Sequence, residues 1–196
     1  MADAGLSQIL ALLILDTDGE RLAVKYSSVA KKELWPGTKA QLAFEKRLIA
    51  KLPKPTGTGG RGDVDVAIID EYTVLYQSCN DVVVCAIASA SENELVVMQL
   101  VEGVYAALSN SVQSSFLATG LTKQIVLDNL SDVFFILDEV TDDAIIMETE
   151  EEKIVARIKM QDETEVSNSA QAEKIFNKAT ESAKNKLLAS FIGGRG

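Results

Sequence analysis

The sequence predicts an α+β domain built on one five-stranded antiparallel sheet with helices packed against it. Three observations carry that prediction. Ile9 to Leu15 is an unbroken apolar run, the pattern of a strand covered on both faces. Val64 to Ile69, Thr73 to Cys79 and Val82 to Ala88 are strand-like runs joined by hairpin-length links, Asp70-Glu71-Tyr72 and Asn80-Asp81. Two later stretches, Ser91 to about Phe116 and Thr122 to about Asp142, have helical length and more apolar residues than one buried stripe requires.

Taken in order, the first run is followed by Asp16-Thr17-Asp18-Gly19. A Gly able to take positive φ stands beside an Asp that bonds its own backbone, which predicts a tight turn into the alternating strand Arg21 to Tyr26. Trp35-Pro36-Gly37 breaks the pattern, and Thr38 is placed to cap a helix over Lys39 to Leu52. Phe44, Leu48 and Leu52 recur every four residues as its buried stripe, while Lys39, Lys46, Arg47 and Lys51 form a candidate basic face. Pro53-Lys54-Pro55 ends this helix, and Thr56 to Gly62 is an exposed loop. The three-strand meander follows.

Ser91 and Glu94 have capping-box spacing at the start of the next helix. Its stripe Val97, Val101, Val104, Leu108 and Val112 seats it on the sheet, and a second stripe, Val96, Leu100, Gly103 and Ala107, lies about 100° further round. The helix over Thr122 to Asp142 shows the same surplus: Ile125, Leu127, Phe134, Phe135 and Ile136 fall outside its heptad-like stripe. Such helices are buried against each other or against another protein, and Val96, Leu100, Phe134, Phe135 and Ile136 are the candidate partner interface. Residues 1–160 are expected to form the main domain, and 161–196 a polar linker and a last amphipathic helix through Ile175, Phe176, Leu187 and Leu188.

The net charge is −10 and unevenly placed. Residues 131 to 165 hold 12 acids against 3 bases, whereas 31 to 61 hold 8 bases against 2 acids. The basic segment is either a solvated face or a surface for an acidic partner or anionic lipid headgroups. Nucleic acid is not expected, because the pI is near 4.6 and no aromatics interleave the basic residues. No apolar run approaches a membrane span, and the N-terminus lacks signal-peptide layout, so a cytosolic protein is expected.

Catalytic chemistry finds little to work with. The chain has no histidine, which removes Ser-His-Asp and Cys-His machinery and the commonest metal ligand. Two cysteines without a CxxC do not make a zinc site, and across the Asn80-Asp81 turn Cys79 is expected opposite Val82 and Cys85 opposite Tyr76, poorly placed to bridge. Acid pairs at Asp16/Asp18, Asp70/Glu71 and Asp142/Asp143 sit at turns or helix ends, where acids are favoured anyway. The Gly-rich Thr56 to Gly62 loop follows a helix and opens a strand, the reverse of a P-loop. No catalytic, cofactor-binding or metal residue is assigned.

The order strand, strand, helix, three strands, helix, helix resembles the longin domain. Within it, Ile14-Leu15-Asp16-Thr17-Asp18-Gly19-Glu20-Arg21-Leu22-Ala23-Val24-Lys25-Tyr26 is similar to the first hairpin of the coatomer zeta family. Ala43-Phe44-Glu45-Lys46, Glu92-Asn93-Glu94-Leu95 and Leu137-Asp138-Glu139-Val140 followed by Ile145-Ile146-Met147-Glu148 extend the likeness over residues 9 to about 150. The sigma subunits of clathrin adaptors share this skeleton and are the alternative; a segment before the first strand and a further helix after Thr149 favour zeta. The resemblance implies a longin-like fold of one helix on one sheet face and two on the other. It also implies a non-catalytic subunit of the COPI coat, without cofactor, paired directly with the coatomer gamma subunit alongside the other coatomer subunits. Recruitment by an Arf-family GTPase to Golgi membranes and COPI vesicles, for Golgi-to-ER retrograde and intra-Golgi transport, is implied with it.

Overall fold

The computed structural model describes residues 8–53, 63–112 and 120–160. Strands β1 (Ala11–Asp16), β2 (Arg21–Tyr26), β3 (Asp65–Ile69), β4 (Tyr72–Cys79) and β5 (Val82–Ser89) form one sheet in the order β2-β1-β5-β4-β3. Every pairing in it is antiparallel. β1 lies between β2 and β5 and is buried along its whole length, which is why its sequence does not alternate. β5 is the middle strand and is buried except at Ser89.

The turns carry the predicted chemistry. Gly19 has φ +82°, and Asp16 Oδ1 accepts the amides of Asp18 at 3.0 Å and Glu20 at 2.8 Å. Asp70 and Asn80 take left-handed φ values of +57° and +52° between the meander strands, a conformation Asp and Asn tolerate better than most residues. Cys79 pairs with Val82 and Cys85 with Tyr76, so the two buried thiols stay apart and free.

Strand alternation sorts the core into two layers. Leu13, Leu15, Val74, Cys85 and Ile87 meet Phe44 and Leu48 of α1 (Gly37–Lys51) on one face, and Trp35, which follows the preceding π-turn Ala30–Leu34, packs with them. Leu12, Ile14, Leu75, Val84 and Ala86 are buried on the other face. There α2 (Glu94–Val112) crosses β4 and β5, while α3 (Lys123–Asp128) and α4 (Leu130–Val140) reach β2. A short hairpin, β6 (Thr141–Asp142) and β7 (Ile145–Ile146), and a helical stretch over 151–160 complete the described chain.

Three boundaries differ from expectation. α1 begins at Gly37 after Pro36, which has no side-chain acceptor, so Thr38 lies inside the first turn and does not cap it. At α2 the cap is Asn93, whose Oδ1 accepts the Leu95 amide at 3.0 Å; the Ser91 hydroxyl is engaged with Ser89 at 3.1 Å. The helix expected from Thr122 to Asp142 is two helices meeting at Asn129. Its side chain donates to the Ile125 carbonyl at 2.8 Å, and its backbone leaves the helical region at φ −126° and ψ +36°.

Met1–Arg157 and Ile158–Gly196 form separate compact units. The linker and final amphipathic helix expected after residue 160, and the loop expected over Thr56 to Gly62, lie outside the described residues. Among the described residues, no helix is long and apolar enough to cross a membrane.

Candidate interaction surfaces

The surface of α1 is set by where its one acid points. Glu45 is fully buried and receives Arg21 in bidentate fashion, Nε to Oε2 at 2.7 Å and Nη2 to Oε1 at 2.8 Å, while the Tyr26 hydroxyl donates to Oε1 at 2.5 Å. Burial pushes the Tyr26 phenol well above its ordinary range, and the hydrogen bond to Glu45 adds to it. The Arg21 guanidinium is raised chiefly by its own hydrogen bonds to Glu45. Tyr26, Trp35, Phe44 and Tyr72 stack around this pair with ring centroids 4.2 to 6.1 Å apart. The helix is thereby clamped to the edge strand with its acid inward.

What remains outward is basic. Lys39, Lys46, Arg47 and Lys51 are all exposed. Arg47 and Lys51 lie 3.4 and 3.0 Å from the Asp70 carboxylate at the β3–β4 turn. The hydrogen bond from Lys51 holds the Asp70 carboxyl below the usual carboxylate range. Lys39 and Lys46 have no ion-pair partner among the described residues.

On the opposite sheet face, α3 and α4 are fastened by the strand turns. Lys123 Nζ reaches Asp16 at 2.7 Å and Glu20 at 3.1 Å, and its amide donates to Asp81 at 2.8 Å. The hydrogen bond to Asp16 raises the Lys123 ammonium. The Asp16-to-Gly19 turn is therefore an anchor for the start of α3. At the other end, Lys25 Nζ on β2 donates to the Leu137 and Thr141 carbonyls at 3.2 and 2.7 Å and pairs with Asp138 at 2.7 Å. A cation bonded to the last carbonyls of a helix satisfies groups the helix cannot satisfy itself and favours the negative end of its dipole.

Packing divides the five candidate interface residues. Phe134 and Phe135 are 49% and 40% exposed, and Val96 is half-buried. Leu100 and Ile136 are fully buried in the domain's own core, where α2 and α4 lie against each other and the sheet, and so offer no surface. The second stripe of α2 is covered from within the chain. A Cβ on Gly103 would stand 2.1 Å from the Thr149 carbonyl oxygen, because the backbone after β7 crosses α2 at that point. Leu127 on α3, 39% exposed, joins the two phenylalanines as an outward apolar side chain. Its place outside the heptad-like stripe was the signal for it.

The remaining chemistry is sparse. A cavity of about 370 Å³ between α2 and the 149–151 segment is lined by Gln99, Glu102, Gly103, Ala106, Thr149, Glu150 and Glu151. Among the described residues no group of three or more His, Cys, Asp or Glu is placed to hold a metal ion. Burial pushes the Cys85 thiol far above its ordinary range, which disfavours the thiolate. The arrangement presents two surfaces, one basic and one apolar, on opposite sides of a sheet.

The family model for the clathrin adaptor complex small chain matches residues 8–165. Coatomer subunit zeta-2 of Arabidopsis thaliana is 30% identical over 92% of this chain and 93% of its own length. Coatomer subunit zeta-1 of Homo sapiens is 29% identical over 95% of this chain and 96% of its own. Among solved structures, a chain of a homology model of the full-length AP-3 complex in a stretched open conformation superposes with a TM-score of 0.54 at 13% identity. It covers 83% of this chain and 98% of that one, a likeness of fold alone.

Proposed function

The chain belongs to the clathrin adaptor complex small chain family, and on that premise we propose that it is a non-catalytic structural subunit of the coatomer (COPI) coat. It pairs directly with the coatomer gamma subunit, assembles with the other coatomer subunits, and reaches Golgi membranes and COPI vesicles from the cytosolic side. An Arf-family GTPase recruits the whole complex, which serves Golgi-to-ER retrograde and intra-Golgi transport. The observation that carries this reading is likeness to coatomer zeta subunits along almost the whole chain. The sigma-type alternative is not favoured on the same ground.

The outward residues of α3 and α4 supply a docking surface for it. Phe134 and Phe135 keep nearly half of their area exposed although Val133, Ile136, Leu137 and Val140 of the same helix are buried in the core. Together they leave roughly 150–200 Å² of apolar surface in water, and covering it contributes up to about 4–5 kcal/mol. Co-expression with coatomer gamma is expected to yield a 1:1 complex. Phe134→Ser with Phe135→Ser is expected to lower the melting temperature of the free chain, because the inner halves of both rings are packed, and to weaken the complex at least about 100-fold at a temperature where the variant is still folded. Wild-type chains that remain two separate monomers overturn the pairing.

A further inference from the structure

We propose that the outer face of α1 is a docking surface for an anionic lipid bilayer, a contact made by this chain itself and additional to assembly with coat partners. The helix carries four exposed cations, Lys39, Lys46, Arg47 and Lys51, and its one acid, Glu45, is turned inward to Arg21 and Tyr26. The only carboxylate in ion-pair reach of these cations among the described residues is Asp70, which Arg47 and Lys51 share. The face therefore keeps a net positive charge that the domain does not neutralise. The preceding π-turn adds exposed Lys31 and Lys32 against exposed Glu33.

Shape and composition favour a bilayer over an acidic protein segment. A helix lying on a sheet is a convex ridge, which meets a plane of headgroups along its length but offers no cleft for a peptide. Leu42, 37% exposed, and Ala43 lie between the lysines, so long aliphatic stems and a short apolar strip face outward together. The chain's overall charge of −10 does not cancel this attraction. The acids of α4, Asp132, Asp138 and Glu139, belong to the layer on the other side of the sheet. A helix alone is about 10 Å thick, more than the screening length of about 8 Å at physiological ionic strength. Because α1 and the exposed phenylalanines occupy opposite sheet faces, a membrane and a protein partner do not compete.

The test is flotation of the full chain with vesicles of phosphatidylcholine alone or of phosphatidylcholine with phosphatidylserine. Binding is expected to the anionic vesicles only and to fall as salt is raised. Lys39→Ala with Lys46→Ala, both exposed, is expected to reduce it by about fivefold per lysine, roughly 25-fold together, with an unchanged melting temperature. Lys153→Ala with Arg157→Ala, the same loss of charge elsewhere, leaves it unchanged. Wild-type protein without preference for anionic vesicles, or a Lys39/Lys46 variant that binds as wild type does, overturns the proposal. So does a variant that loses its coat partner while still binding vesicles, which would assign the face to an acidic protein. Loss of vesicle binding with assembly intact supports the proposal and leaves the pairing with gamma standing.

Discussion

Replacing Glu45 probes the clamp that orients α1. Its carboxylate is fully buried, while the Arg21 side chain that it binds is 22% exposed. Glu45→Met leaves a partly buried guanidinium and the Tyr26 hydroxyl without their acceptor. Breaking one half of a buried pair costs about 3–5 kcal/mol, and the hydration still open to Arg21 puts the expectation at the lower end, about 3. For a domain of this size that corresponds to a fall in Tm of roughly 6–12 °C. Urea denaturation followed by circular dichroism measures it as a shift of midpoint at constant slope. Arg21→Met with Glu45→Met removes both charges, and the double variant is expected to cost less than Glu45→Met alone. A Glu45→Met protein within about 0.5 kcal/mol of wild type, or a double variant whose cost is the sum of the singles, refutes the clamp.

Gly103→Ala improves helix propensity by about 0.5–1 kcal/mol, yet it is expected to destabilise. Its Cβ would press on the Thr149 carbonyl, and displacing backbone costs about 1–3 kcal/mol; a raised Tm would contradict the crossing. At Asp16 burial pushes the carboxyl up, but hydrogen bonds from Lys123 and from the Glu20 and Asp18 amides, with the Lys123 charge, hold it below its ordinary value. A lowered carboxyl contributes stability above the unfolded-state pKa of about 4 that is lost as pH falls through the lower folded value. The Tm advantage of wild type over Asp16→Asn is therefore expected to be full at neutral pH and to close in acid. A pH-independent gap would show that Asp16 acts only through its shape.

The sheet was legible because its signals are local. The unbroken run before Asp16 marks a doubly covered strand, and the Gly19 and Asn80 turns fix hairpin registers within a few residues, so even the separation of Cys79 from Cys85 followed. The two phenylalanines were legible for a similar reason, since a helix apolar beyond one stripe must bury or expose the remainder. Leu100 and Ile136 carried the same signal and went the other way. Periodicity counts apolar faces but does not say which face a distant segment will cover, and the crossing of α2 by the backbone at Thr149 lies 46 residues beyond Gly103.

By itself the sequence determined the order of the five sheet strands with α1 and α2, the turn chemistry, the basic stripe of α1 and the lack of any histidine, because composition and short-range spacing specify these. Only the tertiary structure decided what the charged residues of the first hairpin do. Asp16 became the anchor of α3, Arg21 the partner of Glu45, and Lys25 the cap of α4. Each of these pairings joins groups 24 to 116 residues apart. Such contacts depend on how the layers stack, and a charge desolvated by that stacking is stable only where the other layer brings its counter-charge or hydrogen-bonding partner.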